Sequence, residues 1–373
     1  MRIAVDCRCL TRRPTGIGKY LADAIVALCK YSPDWELVLM APNEFYKDIL
    51  PTLGENVKKV VCPLPVFNKH LLWYNTMFLW QCLKYDVDII WTPFPERPIF
   101  SPFGIKQLIT VHDVVAIEYK TTRADHNKIL GIGNFKKSIM KADLIWCNSH
   151  YTQQKIDEYF SNRKQKDVVI GDSCTEVFGK ETISDEEKTR IKESFGITDK
   201  FLLFVGTLEP RKNLVFLLNV MKELHRERPT LKLLIVGGRG WKSSNIRETY
   251  EQDDFPKESV FFADYIDIHL LNKLYNICDC FVSAALNEGF GMPQLEAMRC
   301  GSPVVTSHNS AMIEVVGGRG VTVKGFEVED WSKAIYTVLD KGRDGINYDL
   351  SDYDWGKIIL EVKSYVESHY SHR

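Results

Sequence analysis

The sequence predicts an α/β protein made of two doubly wound domains, and three observations carry that prediction. Short β-branched apolar runs alternate with amphipathic stretches along the whole chain, the pattern of βαβ units and parallel sheets. The chain has 373 residues, about twice what one hydrophobic core usually organises. A polar, charged stretch without strand signal, EVFGKETISDEEKTRIKESFG at 176–196, separates the two alternating halves.

In the first half the strand signals are RIAVD (2–6), ELVLMA (36–41), VKKVVC (57–62), VDIIWT (87–92), QLITV (107–111) and ADLIWC (142–147), with VVI (168–170) as a further candidate. Helical patterns lie between them at 19–30, 71–83 and 129–141. In the second half, FLLFVG (201–206), LKLLIVGG (231–238), VFFA (260–263), CFVSA (280–284), PVVTS (303–307) and VTV (321–323) read as strands. Helices are expected at 213–228, 269–277 and 293–299. The tail is one more amphipathic helix, because Ile358, Ile359, Val362 and Val366 recur at three- and four-residue spacing. The expected division is 1–175, 176–355 and a closing helical segment, 356–373.

Composition narrows the function classes. Lys and Arg total 48 against 49 Asp and Glu, so 48 − 49 gives a net charge of −1. A dedicated nucleic-acid binder normally carries a basic surplus, so no nucleic-acid partner is expected. The ten cysteines form no C-x-x-C pair and sit mostly in apolar runs, as reduced thiols of a cytoplasmic protein would. The opening MRIAVDCRCLTRR has too short an apolar run for a signal peptide, and no stretch of about 18 apolar residues suggests a membrane span. The aromatic stretch 66–83, with Trp73, Tyr74, Phe78 and Trp80, is interrupted by Asn75 and Gln81. It reads as a core helix, with contact at the inner face of a membrane as the open alternative.

Ligands of open α/β sheets bind beyond the carboxyl ends of the strands, which sorts the motifs. After 280–284 comes Asn287-Glu288-Gly289-Phe290-Gly291-Met292-Pro293-Gln294-Leu295-Glu296. Its glycines allow close backbone approach, and Pro293 suits a first helical turn. The N–H groups of Gly291, Met292, Gln294 and Leu295 are expected to be free and to face an anion or hydroxyl. Glu288 in the loop and Glu296 one turn into the helix then reach different parts of an extended ligand. A plain glycine turn with a helix-start glutamate explains Glu296 but not the whole segment.

After 201–206 comes Gly206-Thr207-Leu208-Glu209-Pro210-Arg211-Lys212-Asn213. Arg211 and Lys212 at a helix start oppose the macrodipole, which makes sense if an anion such as a diphosphate lies between them. A solvated surface pair is the bland alternative. In the first half, Thr15-Gly16-Ile17-Gly18-Lys19 fits neither the P-loop nor G-x-G-x-x-G, leaving a close-approach loop or a plain turn. His112-Asp113 ends a strand, where a histidine can meet a sugar or move a proton, or simply be buried. Asp86-Val87-Asp88 spells D-x-D but precedes its strand, so no metal site is assigned to it. Gly171-Asp172-Ser173-Cys174-Thr175 lacks the last glycine of a nucleophile elbow.

Taken in order, these motifs resemble the retaining glycosyltransferases of family 4, the glycosyl transferases group 1, and most of all bacterial mannosyltransferases of surface-polysaccharide assembly. Glu288 and Glu296 match Glu-x7-Glu within NEGFGMPQLEAMRCGSPVV, and G-T-L-E-P-R-K-N, T-G-I-G, Thr110-Val111-His112-Asp113 and Tyr353-Asp354-Trp355 accompany it. The resemblance implies the GT-B fold: two Rossmann-like domains facing a cleft. Residues 1–175 would be the acceptor side, 176–355 the nucleotide-sugar side, and 356–373 a helix crossing back to the first domain.

It further implies that Arg211 and Lys212 bind the donor diphosphate, Glu296 the ribose, and Glu288 the donor hexose. Gly206, Leu295 and the Phe290, Gly291 and Met292 backbone belong to the donor-binding set. Gly16 and Gly18 would line the cleft, and His112 would sit by the transferred sugar. No metal and no cofactor beyond the nucleotide diphosphate sugar is implied. The usual N-G-V-D of the family is here Gly171-Asp172-Ser173-Cys174.

The resulting expectation is a hexosyltransferase, with mannose from GDP-mannose as the first assignment. The acceptor would be a hydroxyl of a glycan or a lipid-linked sugar. A sugar phosphorylase, a nucleotide-sugar 2-epimerase, or a non-catalytic nucleotide-sugar-binding subunit would share the architecture. Phosphate-dependent cleavage, isomerisation without acceptor, or decay of the charged motif residues would distinguish them.

Overall fold

The computed structural model describes residues 1–13, 16–50, 53–64, 70–99, 104–118, 128–238 and 244–370. Thr15 and residues 66–69 of the aromatic stretch lie outside them. The chain forms two compact units, Met1–Ser173 with Ser351–Arg373, and Cys174–Leu350.

The first unit is built on seven parallel strands: β1 (Arg2–Asp6), β2 (Glu36–Ala41), β3 (Val57–Val61), β4 (Ile89–Thr92), β5 (Lys106–Val111), β6 (Leu144–Cys147) and β7 (Val169–Ile170). Their order is β3-β2-β1-β4-β5-β6-β7, so the winding reverses between β1 and β4. Side chains alternate along each strand, and both faces are covered, as parallel sheets require. Ile3, Val5, Leu37, Leu39, Leu108 and Trp146 face the helices Gly16–Tyr31 and Trp355–Tyr370. Ala4, Val38, Met40 and Ile90 face the opposite side with Trp73, Tyr74 and Phe78. Ile109, Val111, Ile145 and Cys147 pack with Phe135, Ile139 and Ile156.

The second unit repeats the plan with β8 (Phe201–Val205), β9 (Lys232–Val236), β10 (Val260–Ala263), β11 (Cys280–Ser283), β12 (Val304–Ser307) and β13 (Val321–Val323). The order β10-β9-β8-β11-β12-β13 reverses between β8 and β11. Helices Leu214–Glu227 and Val328–Lys341 cover one face through Leu217, Leu218, Met221, Trp331 and Ile335.

Two readings need correction. The helix expected over 71–83 is interrupted: His70–Trp73 and Leu79–Lys84 are joined by a π-helical turn, Tyr74–Phe78. There the Asn75 amide and Thr76 hydroxyl donate to the carbonyls four residues back, Leu71 and Leu72, at 2.7 and 2.6 Å. Such back-bonding competes with the regular ladder. The helix Val328–Lys341 went unread, although Val328, Trp331, Ile335, Val338 and Leu339 follow helical spacing.

At the end of β7, Gly171 takes the place where the first unit is tied to its last helix. A Cβ on Gly171 would lie 2.8 Å from Ile358 Cγ2, at a backbone φ of +154°. Its carbonyl accepts from Trp146 Nε1 at 2.8 Å, and Ser173 Oγ donates to the Tyr353 carbonyl at 2.6 Å. Gly171 and Ser173 thus seat the helix Trp355–Tyr370. Gly171→Ala is expected to lower stability by about 1–3 kcal/mol through overpacking, read as a lower urea midpoint with unchanged m-value.

Candidate active site

The second unit gathers its charged motif at the switch point. Beyond β8 the chain makes a tight 3-10 turn, Pro210–Lys212, and Asn213 adopts a left-handed conformation (φ 54°) before the helix Leu214–Glu227 begins. This turn aims Arg211 and Lys212 at the loop beyond the neighbouring strand β11. The Leu286 amide donates to the Arg211 carbonyl at 2.8 Å, which staples the two loops together.

Glu288 is the centre of the arrangement, 7% exposed. Arg211 Nη1 donates to its Oε2 at 2.6 Å, and Lys212 Nζ donates to its Oε1. Arg211 also holds the Asn287 carbonyl at 2.6 Å and Glu209 through Nε and Nη2 at 3.1 and 2.7 Å. The loop beyond β12 completes the frame. The Glu288 amide donates to Ser310 Oγ at 3.0 Å, and the Ala311 amide to the Glu288 carbonyl at 3.3 Å. Burial alone would push the Glu288 carboxyl up. The charges of Lys212 and Arg211, with their hydrogen bonds, outweigh it and hold the pKa at about 2. Glu288 is therefore an ionised acceptor at every physiological pH.

Two expectations change here. Arg211 and Lys212 both reach a carboxylate of the protein, Glu288, which the sequence alone did not place between them. Nor are all four helix-start amides free. Gln294 and Leu295 both donate to the Gly291 carbonyl at 3.1 Å, because the chain turns directly into the helix Met292–Arg299. Among the described residues the amides of Gly291 and Met292 have no such partner. Gly291 itself is required, since at φ +103° a Cβ would fall 2.2 Å from Met312 Cε. Phe290 is buried, and Gly206 lies at the end of β8 beneath Lys212. Glu296 is 4% exposed, and the buried Tyr275 hydroxyl donates to its Oε2 at 2.7 Å.

The remaining motif residues belong to the first unit. Gly16 and Gly18 open the helix Gly16–Tyr31, with nothing within 4 Å of a Cβ built on Gly16. His112 follows β5. Its Nε2 lies 3.2 Å from the Pro93 carbonyl, so the Nε2–H tautomer donates there and Nδ1 is left as an acceptor. Tyr20 meets the imidazole edge-on at 4.6 Å between ring centroids. Burial lowers its pKa to about 4, against the opposing Pro93 hydrogen bond, so His112 is neutral near pH 7. Asp88 of D-x-D is structural, accepting from the Arg2 amide at 2.7 Å and from the Tyr370 hydroxyl. Among the described residues no group of His, Cys, Asp and Glu could hold a metal ion.

Sequence reasoning missed Glu209, Asn287, Ser310 and Tyr275, which hold the named residues in place. The polar run Ser307-His308-Asn309-Ser310 beyond β12 was the available signal. It also missed a cluster at the first unit's switch point. Arg8 Nη2 lies 2.7 Å from Asp6 Oδ2 and 2.8 Å from Glu96 Oε2, with the guanidinium over the rings of Tyr74 and Phe94.

The folded pKa of His112 lies below its unfolded value, so the unfolded chain binds the proton first on acidification. Stability is thus expected to fall as the pH drops from about 6.5 to about 4. His112→Asn should flatten that slope of melting temperature against pH, while a histidine with an ordinary pKa would leave it unchanged.

Residues 185–348 match the family model for glycosyl transferases group 1. The chain is 27% identical over 245 residues to the serotype-specific mannosyltransferase WbdA of Escherichia coli, covering 63% of this chain and 29% of that one. It is 30% identical over 206 residues to the O-antigen chain mannosyltransferase B of Escherichia coli, covering 54% and 53%. The chain thus spans less than a third of the first of these relatives and about half of the second. The fold resembles sucrose-phosphate synthase from Thermosynechococcus elongatus, with a TM-score of 0.76 at 18% identity over the whole of both chains. Among the described residues no helix is long and apolar enough to cross a membrane. Two parallel α/β units with this structural neighbour have the GT-B fold, and residues 185–348 resemble a glycosyl transferases group 1 domain.

Proposed function

We propose that the chain is a retaining hexosyltransferase that moves a sugar from a nucleotide diphosphate donor to an acceptor hydroxyl. The observation that carries this reading is the convergence of Arg211, Lys212 and Glu288 where the loops beyond β8 and β11 meet. Mannose from GDP-mannose is the first assignment, supported by the mannosyltransferases among the relatives. The acceptor is a hydroxyl of a glycan or a lipid-linked sugar. No metal is needed, because leaving-group charge is met by protein cations.

The two cations do different work. Arg211 spends its fork on Glu209, Asn287 and Glu288, so it acts as a fixed positive centre that positions the loop. Lys212 has three donors and gives one to Glu288, so it is the cation that meets the donor phosphates. As the bond to the sugar breaks, charge grows on the departing phosphate oxygen, and a preorganised ammonium lowers the barrier. The acceptor attacks from the same face, and its proton passes to that oxygen. Ionised Glu288 accepts hydrogen bonds from donor hexose hydroxyls and cannot donate one. Neutral His112, with Nδ1 as an acceptor, would hydrogen-bond a sugar hydroxyl rather than carry a proton at pH 7. Glu296 would take the ribose.

Lys212→Ala is expected to lower kcat by about 10²–10³-fold, as loss of one charge-stabilising donor does. Glu288→Gln should lower kcat/KM without moving the pH profile, because its carboxyl is already ionised across the assay range. A panel of nucleoside diphosphates and nucleotide sugars scored by melting temperature identifies the donor. At 100 Kd a native-state ligand adds about 2.7 kcal/mol. Full transfer activity in both Lys212→Ala and Glu288→Ala would overturn the assignment, and a melting shift from no nucleotide would overturn donor binding itself.

A further inference from the structure

The segment His70–Lys84 has two apolar faces, and only one of them is used. Trp73, Tyr74, Phe78, Leu79 and Cys82 are buried against the sheet with Val60 and Cys62. On the outside, Leu71, Leu72, Trp80 and Leu83 are 50, 46, 54 and 61% exposed. Leu72, Thr76, Trp80 and Leu83 are spaced by four, four and three residues, one continuous stripe. The polar residues that seem to break the stripe do not. Gln81 lies on the buried face, and Thr76 and Asn75 turn their donors back onto the carbonyls of Leu72 and Leu71. The Asn75 side-chain oxygen accepts from the Ile99 amide at 2.6 Å, which brings Ile99, 70% exposed, alongside.

Cations border this stripe. Lys84 Nζ is 5.4 Å from the Trp80 ring and 5.8 Å from the Tyr85 ring, and Lys58 Nζ is 4.7 Å from that same Tyr85 ring. Lys58 is exposed on β3, the edge strand of the sheet, on the same side as Val60. Asp86 is the exposed acid nearest in sequence, and Asp88 is engaged by Arg2 and Tyr370. A tryptophan and leucines flanked by lysines match an interface of apolar chains beneath anionic headgroups. Exposed apolar area of this kind on one segment is unusual for a surface that meets only water.

We propose that this face seats the first unit on an anionic lipid bilayer, with Leu72, Trp80 and Leu83 inserted and Lys58 and Lys84 over the headgroups. The proposal deepens the reading that the acceptor is lipid-linked, but its test needs neither donor nor acceptor. The full chain is sedimented with vesicles of phosphatidylcholine alone or with equimolar phosphatidylglycerol, at low and high salt. Binding is expected only with the anionic lipid, weakening as salt rises. Leu72→Ser/Trp80→Ser/Leu83→Ser should lose about tenfold or more of that binding while keeping its circular dichroism. Lys58→Ala/Lys84→Ala should weaken binding by about threefold and reduce its salt dependence. Leu360→Ser, at another exposed apolar position, should change nothing.

No binding by the wild type to anionic vesicles overturns the proposal, as does equal binding by the wild type and the triple serine variant. Concentration-dependent self-association that the triple variant abolishes, without vesicle binding, assigns the face to a second copy of the chain instead. Loss of transfer to a soluble acceptor with vesicle binding intact would count against the proposed activity and leave the docking face standing.

Discussion

The ion cluster around Glu288 is the constraint on which the second unit's site depends. A carboxylate this buried is tolerable only because two cations reach it, and both come from one short turn beyond β8. Removing either cation would leave a buried, partly compensated charge, so the loops beyond β8 and β11 are tied by electrostatics as well as by the Leu286 amide. Formally the cluster of Arg211, Lys212, Glu288 and Glu209 is neutral. An arriving diphosphate must therefore draw on donors that remain, chiefly those of Lys212, rather than on an unbalanced cationic patch.

Topology explains why those loops are neighbours. Strand order reverses between β8 and β11, so their outgoing chains diverge to opposite faces of the sheet and leave a crevice at their ends. The first unit has the same reversal between β1 and β4, and there too a buried ion cluster, Asp6, Arg8 and Glu96, occupies the crevice. Burial raises the Asp6 carboxyl, against the pull of Arg8, whereas Glu288 with two cations is driven down. One cation does not overcome the cost of burial at Asp6; two do so at Glu288.

Much of this was legible before the structure. Strand positions were read to within two or three residues, because fully buried parallel strands are apolar runs that stand out between amphipathic stretches. The charged motif residues were legible because they break local rules, such as cations at a helix start. The π-helical turn at Tyr74–Phe78 was not legible, since it reflects side-chain back-bonding rather than periodicity. The exposure of Leu72, Trp80 and Leu83 beside the buried Trp73, Tyr74 and Phe78 was not legible for a related reason. Asn75 and Thr76 look polar in sequence, yet their donors are spent on their own helix.

The sequence by itself determined the alternation of strands and helices, the two-unit organisation, and which charged residues stand at the ends of which strands. These follow from local periodicity and spacing, which a linear chain carries in full. Only the tertiary structure decided who partners whom. Glu288 lies 77 positions from Arg211 and finds it because strand order places β11 beside β8. Ser310 and Tyr275 acquire their roles through the fold in the same way. Ion pairing and burial depend on distance in space, and spacing along the chain does not encode that distance.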